Sequence, residues 1–411
     1  MHKGFRKAAA VLTAAALCTG CGYAQRTITV VSVNDGTEQE ERITVNFQSR
    51  DGATISEIST EPSSEEIARR EEEERAAAEA EAARIAAKAE ALAGTHTITV
   101  TAGGDCAFGR WEGQAIEQSF DGFHYVYGND YFLSGVSSVF EADDFTILSL
   151  ESVLTEESEA TNGSESMKGD PSYVGILSGA SVEAVSLGNE HALDYGEQGL
   201  LDTKEGLSEA GIGFAYNDEI GYYTMDDGLV IGYASADLTG QNETGEDYLR
   251  EAVLQMQEEA DLILVCCHWG EMDSYEVTDQ QQEMAHELID LGADLVIGNH
   301  PNVLQGVEIY NGKVICYSLG ALSNGSDRYA ADQNTMLFQQ TFTFEDGELS
   351  DLIDAKAIPC KISNTSSVND YKPVVSTSSK QAILDAVNEY SAGLGEKPVT
   401  FDAEGKLLSA E

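Results

Sequence analysis

Six short apolar runs do most to limit what this chain can fold into: TITVTA (97–102), FTILSL (145–150), VEAVSL (182–187), LVIGYAS (229–235), DLILVCC (261–267) and DLVIG (294–298). Runs of this length, rich in Val, Ile, Leu and Thr, read as strands covered on both faces. Amphipathic helical stretches lie between several of them, GLLDTKEGLSEAG (199–211) and TDQQQEMAHELIDLG (278–292). Strands alternating with helices imply an α/β sandwich or layered sheet and exclude a helical bundle. The segment Glu308–Ile315, with Asn311-Gly312 at its centre, adds a hairpin. This texture runs from His96 to about residue 360. Beyond it, 361–411 reads as an extension: a loop, one short helix over Lys380–Tyr390 and a polar tail.

Five of the runs end in polar residues. Asp105 follows the first through Gly103-Gly104, and Glu151 ends the second. Asn189-Glu190-His191, His268-Trp269-Gly270 and His300-Pro301-Asn302 close the third, fifth and sixth. In α/β sheets the carboxyl edge of the strands is where sites form. Singly, each residue reads equally well as a turn residue or a helix cap. Together, carboxylates, imidazoles and amides on one rim imply a metal site. Mixed oxygen and nitrogen donors suit Mn, Fe, Zn or Mg and exclude thiolate-only chemistry. Such a centre polarises a phosphoryl or acyl oxygen and eases the ionisation of water. Trp269 and Tyr275 stand as cleft or core aromatics, and His286, within the second amphipathic helix, reads as surface.

Charge narrows the partners. The chain carries 23 Lys+Arg against 72 Asp+Glu, a net −49. That field repels nucleic acid phosphates and anionic lipid, and attracts divalent cations. The seven cysteines are scattered, without the framework spacing of a disulfide scaffold, and read as small buried hydrophobes.

The first residues, MHKGFRKAAAVLTAAALCTGCGYAQ, have the basic and apolar regions of a secretory signal, with an apolar run too short to span a bilayer permanently. Residues 1–21 read as a signal peptide with Cys21 as a lipidation site; a plain cut after Ala24 is the alternative. Either places the mature protein outside the cytoplasm. Residues 26–60 follow as a small β-rich segment, with runs Thr27–Val33 and Arg42–Phe47. Residues 61–94 are almost wholly Ala, Glu and Arg, strong helix formers without a heptad seam, and read as a helical linker.

The ordered blocks GGDCAFGR (103–110), LSLESVLT (148–155), SLGNEHALDYGEQGLLDT (186–203), HWGEMDSY (268–275) and the long run from Gly292 to Leu322 resemble the CapA-type capsule and poly-γ-glutamate synthesis proteins. That family is a branch of the calcineurin-like metallophosphoesterase superfamily. The resemblance implies a four-layer α/β/β/α sandwich over 96–360. It also implies a protein anchored outside the cytoplasm through an N-terminal lipid, with an anionic cell-surface polymer or its synthesis machinery as partner. It makes Asp105, Glu151, Glu190, His268 and His300 metal residues and His191 a general acid. Asn189, Trp269 and Asn302 then fall to the substrate. Three positions depart from the family pattern: Glu190 stands where an Asn is usual, Asn302 where a second His is usual, and Ala321 where an Asn is usual. Two readings therefore stand side by side, a metal-dependent hydrolase or transferase and a non-catalytic polymer-binding or assembly factor with a degenerate site.

Overall fold

A computed structural model describes residues 24–34, 37–47, 64–161, 163–240, 242–395 and 397–409. Cys21 lies outside the described residues. The chain divides into Met1–Ala86 and Ala87–Glu411.

In the first unit, strands Ala24–Asn34 and Thr37–Phe47 form an antiparallel pair, in register from Ala24 with Phe47 to Asn34 with Thr37. The Ala/Glu-rich segment is one helix, Ser64–Ala91. Its Arg69–Glu73 and Arg75–Glu79 pairs sit one turn apart at 3.7 and 3.8 Å. Ile67 and Ile85 are exposed, consistent with a sequence that has no apolar seam. Among the described residues no helix is long and apolar enough to cross a membrane.

The second unit is a mixed α/β structure built on two large sheets. The first has nine strands, and its central member is Thr95–Ala107. Parallel to it run Phe145–Leu150, then Ala184–Ser186, then Gly213–Ala215. On its other side the long strands Asn334–Glu345 and Asp354–Lys361 pair antiparallel. The second sheet has six strands, with Val230–Asp237, Leu262–His268 and Leu295–Asn299 parallel at its centre. Its crossovers are the helices Glu243–Glu259 and Asp279–Asp290. The first starts at Asn242, whose side chain accepts from the Gly245 amide; the second starts in a capping box of Thr278 and Gln281.

Three buried apolar clusters explain why these segments pack. One joins residues of both sheets, among them Val100, Phe145 and Ile147 with Leu262, Leu264 and Ile297. A second sets Leu148, Leu150 and Val185 against Phe120, Leu177, Leu200 and Leu207. A third sets Val265 and Val296 against Leu249, Val253, Met284 and Leu288 of the crossover helices. Alternate residues of one strand thus enter different clusters, so both faces are apolar.

The C-terminal region departs from the polar tail that the sequence suggests. After the helix Lys380–Ser391, strands Val399–Phe401 and Leu407–Ser409 pair, and Val399, Phe401 and Leu407 are buried in the inter-sheet cluster. The polar residues between them hide this contribution in the sequence. His286 is also less exposed than its helix implies: its ring stacks on Tyr310 at 3.8 Å and its Nε2 lies 2.9 Å from buried Glu308.

Candidate metal centre

The carboxyl ends of the parallel strands of both sheets meet at one place. Asp105 lies inside Thr95–Ala107, directly after a close backbone approach. The Asp105 amide donates to the Gly320 carbonyl at 3.2 Å, and a Cβ on Gly104 would lie 1.7 Å from that same oxygen. Only glycine fits there. Glu151 follows Phe145–Leu150, its amide donating to Cys106. Glu190 comes from the turn after Ala184–Ser186, His268 ends Leu262–His268, and His300 follows Leu295–Asn299.

His300 has φ 93 and Asn302 φ 61. A non-glycine residue held there costs about 1–3 kcal/mol, so neighbours must hold the turn. The His300 amide donates to Asp105 Oδ2 at 2.9 Å across the two sheets. The Asn302 carbonyl accepts from the Ala321 amide at 3.3 Å.

Glu151, Glu190, His268 and His300 each bring a donor atom to one point, all within 4.8 Å of one another. Glu190 bridges the two imidazoles: its Oε2 is 2.5 Å from His268 Nε2 and its Oε1 3.0 Å from His300 Nδ1. Glu151 Oε1 is 3.8 Å from His268 Nε2. The two ring nitrogens, His300 Nδ1 and His268 Nε2, are 3.2 Å apart. Asp105 stands outside this group of four. Its Oδ1 lies 3.6 Å from His268 Nδ1, on the other side of that ring, and sets a negative charge beside it, while its Oδ2 fixes the His300 turn.

The residues fit a divalent cation on three grounds. The donor set mixes carboxylate oxygen and imidazole nitrogen, as such ions require. Glu190 Oε2 is buried and, although 2.5 Å from His268 Nε2, makes no well-formed hydrogen bond, so hydrogen bonding alone leaves it unsatisfied. The charges are also concentrated. Burial disfavours a charged His268, yet Glu190, Asp105 and Glu151 outweigh it and push its pKa up to about 10. Burial, and then the Asp105 charge, raises Glu151 well above the carboxylate range. Burial also works against a charged Glu190, but the two imidazoles hold its carboxyl well below that range.

A cleft of ≈ 440 Å³ opens on the centre, lined by Glu151, His191, Asn302, Trp111, Met272 and Tyr275 among others. His191 is held by Asp194, whose Oδ2 lies 2.8 Å from His191 Nδ1 and also accepts from the Met167 amide at 2.7 Å. Asp194 is absent from the sequence reading; the His-x-x-Asp spacing in NEHALD is the signal that could have found it. Asn302 and Tyr275 face the cleft, whereas Asn189 does not: its side chain donates to the Leu150 carbonyl and accepts from the His191 amide. Trp269, expected near substrate, is buried; its Nε1 donates to the Tyr317 carbonyl at 2.8 Å and its ring stacks on Tyr317. Core packing claims it, because the residue after a strand end turns back under the sheet here.

Fold and site together define an α/β protein with a mixed Glu/His donor group, able to hold a metal ion, where two sheets meet. The chain belongs to the family of the bacterial capsule synthesis protein PGA_cap, whose model matches residues 99–219 and 223–326. It is 26% identical over 238 residues to the PGA biosynthesis protein CapA of Bacillus subtilis (strain 168), covering 53% of this chain and 60% of that protein. Against the capsule biosynthesis protein CapA of Bacillus anthracis the identity is 28% over 249 residues, covering 54% and 59%. A probable polyglutamine synthesis accessory protein of Mycobacterium tuberculosis is 25% identical over 255 residues, covering 54% and 67%. The first two relatives are thus matched over less than two thirds of their length.

Proposed function

We propose that this protein acts in capsular polymer biosynthesis of the poly-γ-glutamate type, as a metal-dependent hydrolase or transferase outside the cytoplasm. The observation that carries the reading is the four-donor group beside a cleft that also holds the Asp194–His191 pair. The fold reading that goes with it is the metallophosphoesterase-like four-layer α/β/β/α sandwich over 96–360, supported by an inter-sheet cluster between two sheet-to-helix clusters.

In this scheme Glu151, Glu190, His268 and His300 hold a divalent ion, Mn, Fe, Zn or Mg, and Asp105 sets a negative charge beside His268 and fixes the His300 turn. Bound there, such an ion supplies Lewis acidity toward a carbonyl or phosphoryl oxygen and toward water. Asp194 occupies His191 Nδ1 and leaves Nε2 to donate a proton to the leaving group. Asn302 and Tyr275 shape the cleft beside the scissile bond. The polymer or its synthesis machinery is the partner. Cys21 carries a lipid that anchors the chain, residues 26–60 and 61–94 precede the working domain, the latter as spacer, and 361–411 complete its inter-sheet core.

The experiment is the metal content of the full chain after exposure to a Mn/Fe/Zn/Mg mixture and gel filtration, followed by turnover assays on γ-linked glutamate oligomers and phosphate esters. Near-stoichiometric metal, lost in His268→Ala and His300→Ala, together with metal-dependent turnover, is the expected result. A parent chain that retains no metal overturns it in favour of a binding or assembly factor. Asn302 in the cleft, where the family pattern has an imidazole, is the observation on that side.

A further inference from the structure

The cleft of ≈ 440 Å³ beside the metal centre carries charge of one sign. Besides Glu151 of the donor group it is lined by Asp273, Asp327 and Asp332, and by no Lys or Arg. Asp273 belongs to the turn after Leu262–His268, has φ 60, and donates its amide to the Pro301 carbonyl at 2.9 Å. Asp327 and Asp332 come from the loop between Ala321–Asn324 and Asn334–Glu345. Arg328 of that loop is engaged elsewhere: it donates to the Asn369 carbonyl at 2.8 Å and lies over the Phe123 and Tyr371 rings. Among the described residues no Lys, Arg or His forms an ion pair with any of the three aspartates.

Three features of the cleft define the cation it suits. The aspartates do not converge on a second metal ion: among the described residues one group alone, Glu151, Glu190, His268 and His300, brings its ligand atoms within 4.8 Å of one another. Carboxylates spread along a cleft act instead as a field on a larger, diffuse cation. The same cleft also carries two aromatic rings, Trp111 and Tyr275. Trp111 Nε1 donates to the Ser326 carbonyl at 3.0 Å, and the Tyr275 hydroxyl donates to Asp332 Oδ2 at 3.0 Å. Each Lys or Arg that lies over a ring among the described residues does so elsewhere, so neither cleft ring is taken by a cation of the protein, and aromatic faces attract organic cations. Finally, Glu151 is 5% exposed, and its nearest partner, His268 Nε2 at 3.8 Å, is beyond hydrogen-bond reach. A buried acid thus stands in the cleft for a ligand to satisfy.

We propose that this cleft receives an organic ammonium, the amine side of an amide bond hydrolysed at the centre. The proposal rests on the hydrolase reading above and narrows its substrate from ester or amide to amide, because a phosphate ester would bring its negative charge to a wall of carboxylates. In the reaction the water oxygen bonds to the carbonyl carbon and the C–N bond breaks. Both water protons finish on the nitrogen, one of them by way of His191 Nε2, and a carboxylate and an ammonium result. The aspartates and rings hold the charge that the nitrogen acquires as it leaves. An internal γ-glutamyl linkage sets an α-carboxylate beside that nitrogen, so the cleft favours an amide whose amine side carries none.

The test is calorimetric titration of the metal-loaded full chain with choline and with its neutral isostere, in which tert-butyl replaces trimethylammonium. A quaternary ammonium has no lone pair for a metal, so the titration reads only the field and the rings. The parent should bind choline about tenfold more tightly than the isostere. Joint replacement Asp273→Asn, Asp327→Asn and Asp332→Asn keeps an acceptor for the Tyr329 and Asn334 amides and should erase the preference. Glu205→Gln, Glu209→Gln and Glu258→Gln, an equal loss of charge at exposed helix positions, should leave it intact. Should the Asn variant fail to fold, Trp111→Leu carries the test: it should weaken choline about threefold, whereas Trp111→Phe, which loses the same bond to Ser326, should not. A preference that survives the cleft substitutions, or that the helix substitutions abolish equally, overturns the subsite and leaves the hydrolase reading standing. A parent that retains no metal overturns that reading and the proposal with it, and turnover of phosphate esters without turnover of amides overturns the proposal alone.

Discussion

The two large sheets bring different chemistry to their common edge. The nine-stranded sheet ends in carboxylates, Asp105, Glu151 and, one turn past Ala184–Ser186, Glu190. The six-stranded sheet ends in imidazoles, His268 and His300. Neither sheet alone holds a mixed donor set. The contacts that build the centre cross between them, Asp105 to the His300 amide and Glu190 to both rings. The centre is therefore a property of how the sheets pack, and metal affinity and inter-sheet packing should rise and fall together.

Removing one sheet's chemistry should have the largest effect. His268→Ala leaves three carboxylates at the edge without their buried counter-charge, and denaturant unfolding should show a loss of about 3–5 kcal/mol. A variant as stable as the parent would mean that the carboxylates do not depend on the other sheet. Next come two leucines of equal chemistry. Leu264 packs between the sheets and Leu249 between a sheet and a helix, both fully buried. Replacing either by Ala should cost about 2–5 kcal/mol, but only Leu264→Ala should weaken metal binding in a competition titration with a chelating dye. Equal metal affinity in both would break the coupling.

Metal itself should tighten the union of the sheets. At a free concentration of one hundred times Kd it should add about 2.7 kcal/mol, seen as a higher Tm that EDTA reverses. The smallest effect concerns a carboxylate at the opposite end of the strand that leads to Glu151. Burial pushes Asp143 up to about 6, partly countered by the Thr101 and Thr146 side chains. The folded state thus favours its protonated form, a contribution complete below pH 4 and lost as pH rises through 6. Asp143→Asn, neutral throughout, should gain about 1 kcal/mol over the parent at pH 8 after allowance for solvent screening, and nothing at pH 4. Melting curves at the two pH values decide it.

The edge of each sheet was legible because the parallel strands are apolar on both faces. The change to Asp105, Glu151, His268 or His300 is therefore abrupt, and the mixed α/β class follows from the helices between. Asn334–Glu345 and Asp354–Lys361 escaped because they pair antiparallel and interleave apolar residues with Gln, Thr and Lys, which a search for continuous apolar runs passes over. Asp194 escaped for another reason: it does not lie at a strand end, and only its His-x-x-Asp spacing from His191 signals the contact with Nδ1. Trp269 could be read as cleft or core because its sequence position beside His268 says nothing of the direction its ring takes, and the structure buries it.

The hydrogen bond from the His300 amide to Asp105 joins residues 195 positions apart. A polypeptide growing from its N-terminus has its oxygen donors long before its second imidazole. Assembly of a complete donor set would therefore be a late event in the making of the protein, and a chain cut short before the His-Pro turn would leave the ribosome with its buried acids lacking one of their two imidazoles. Metal loading would then report that synthesis and folding had both run to completion.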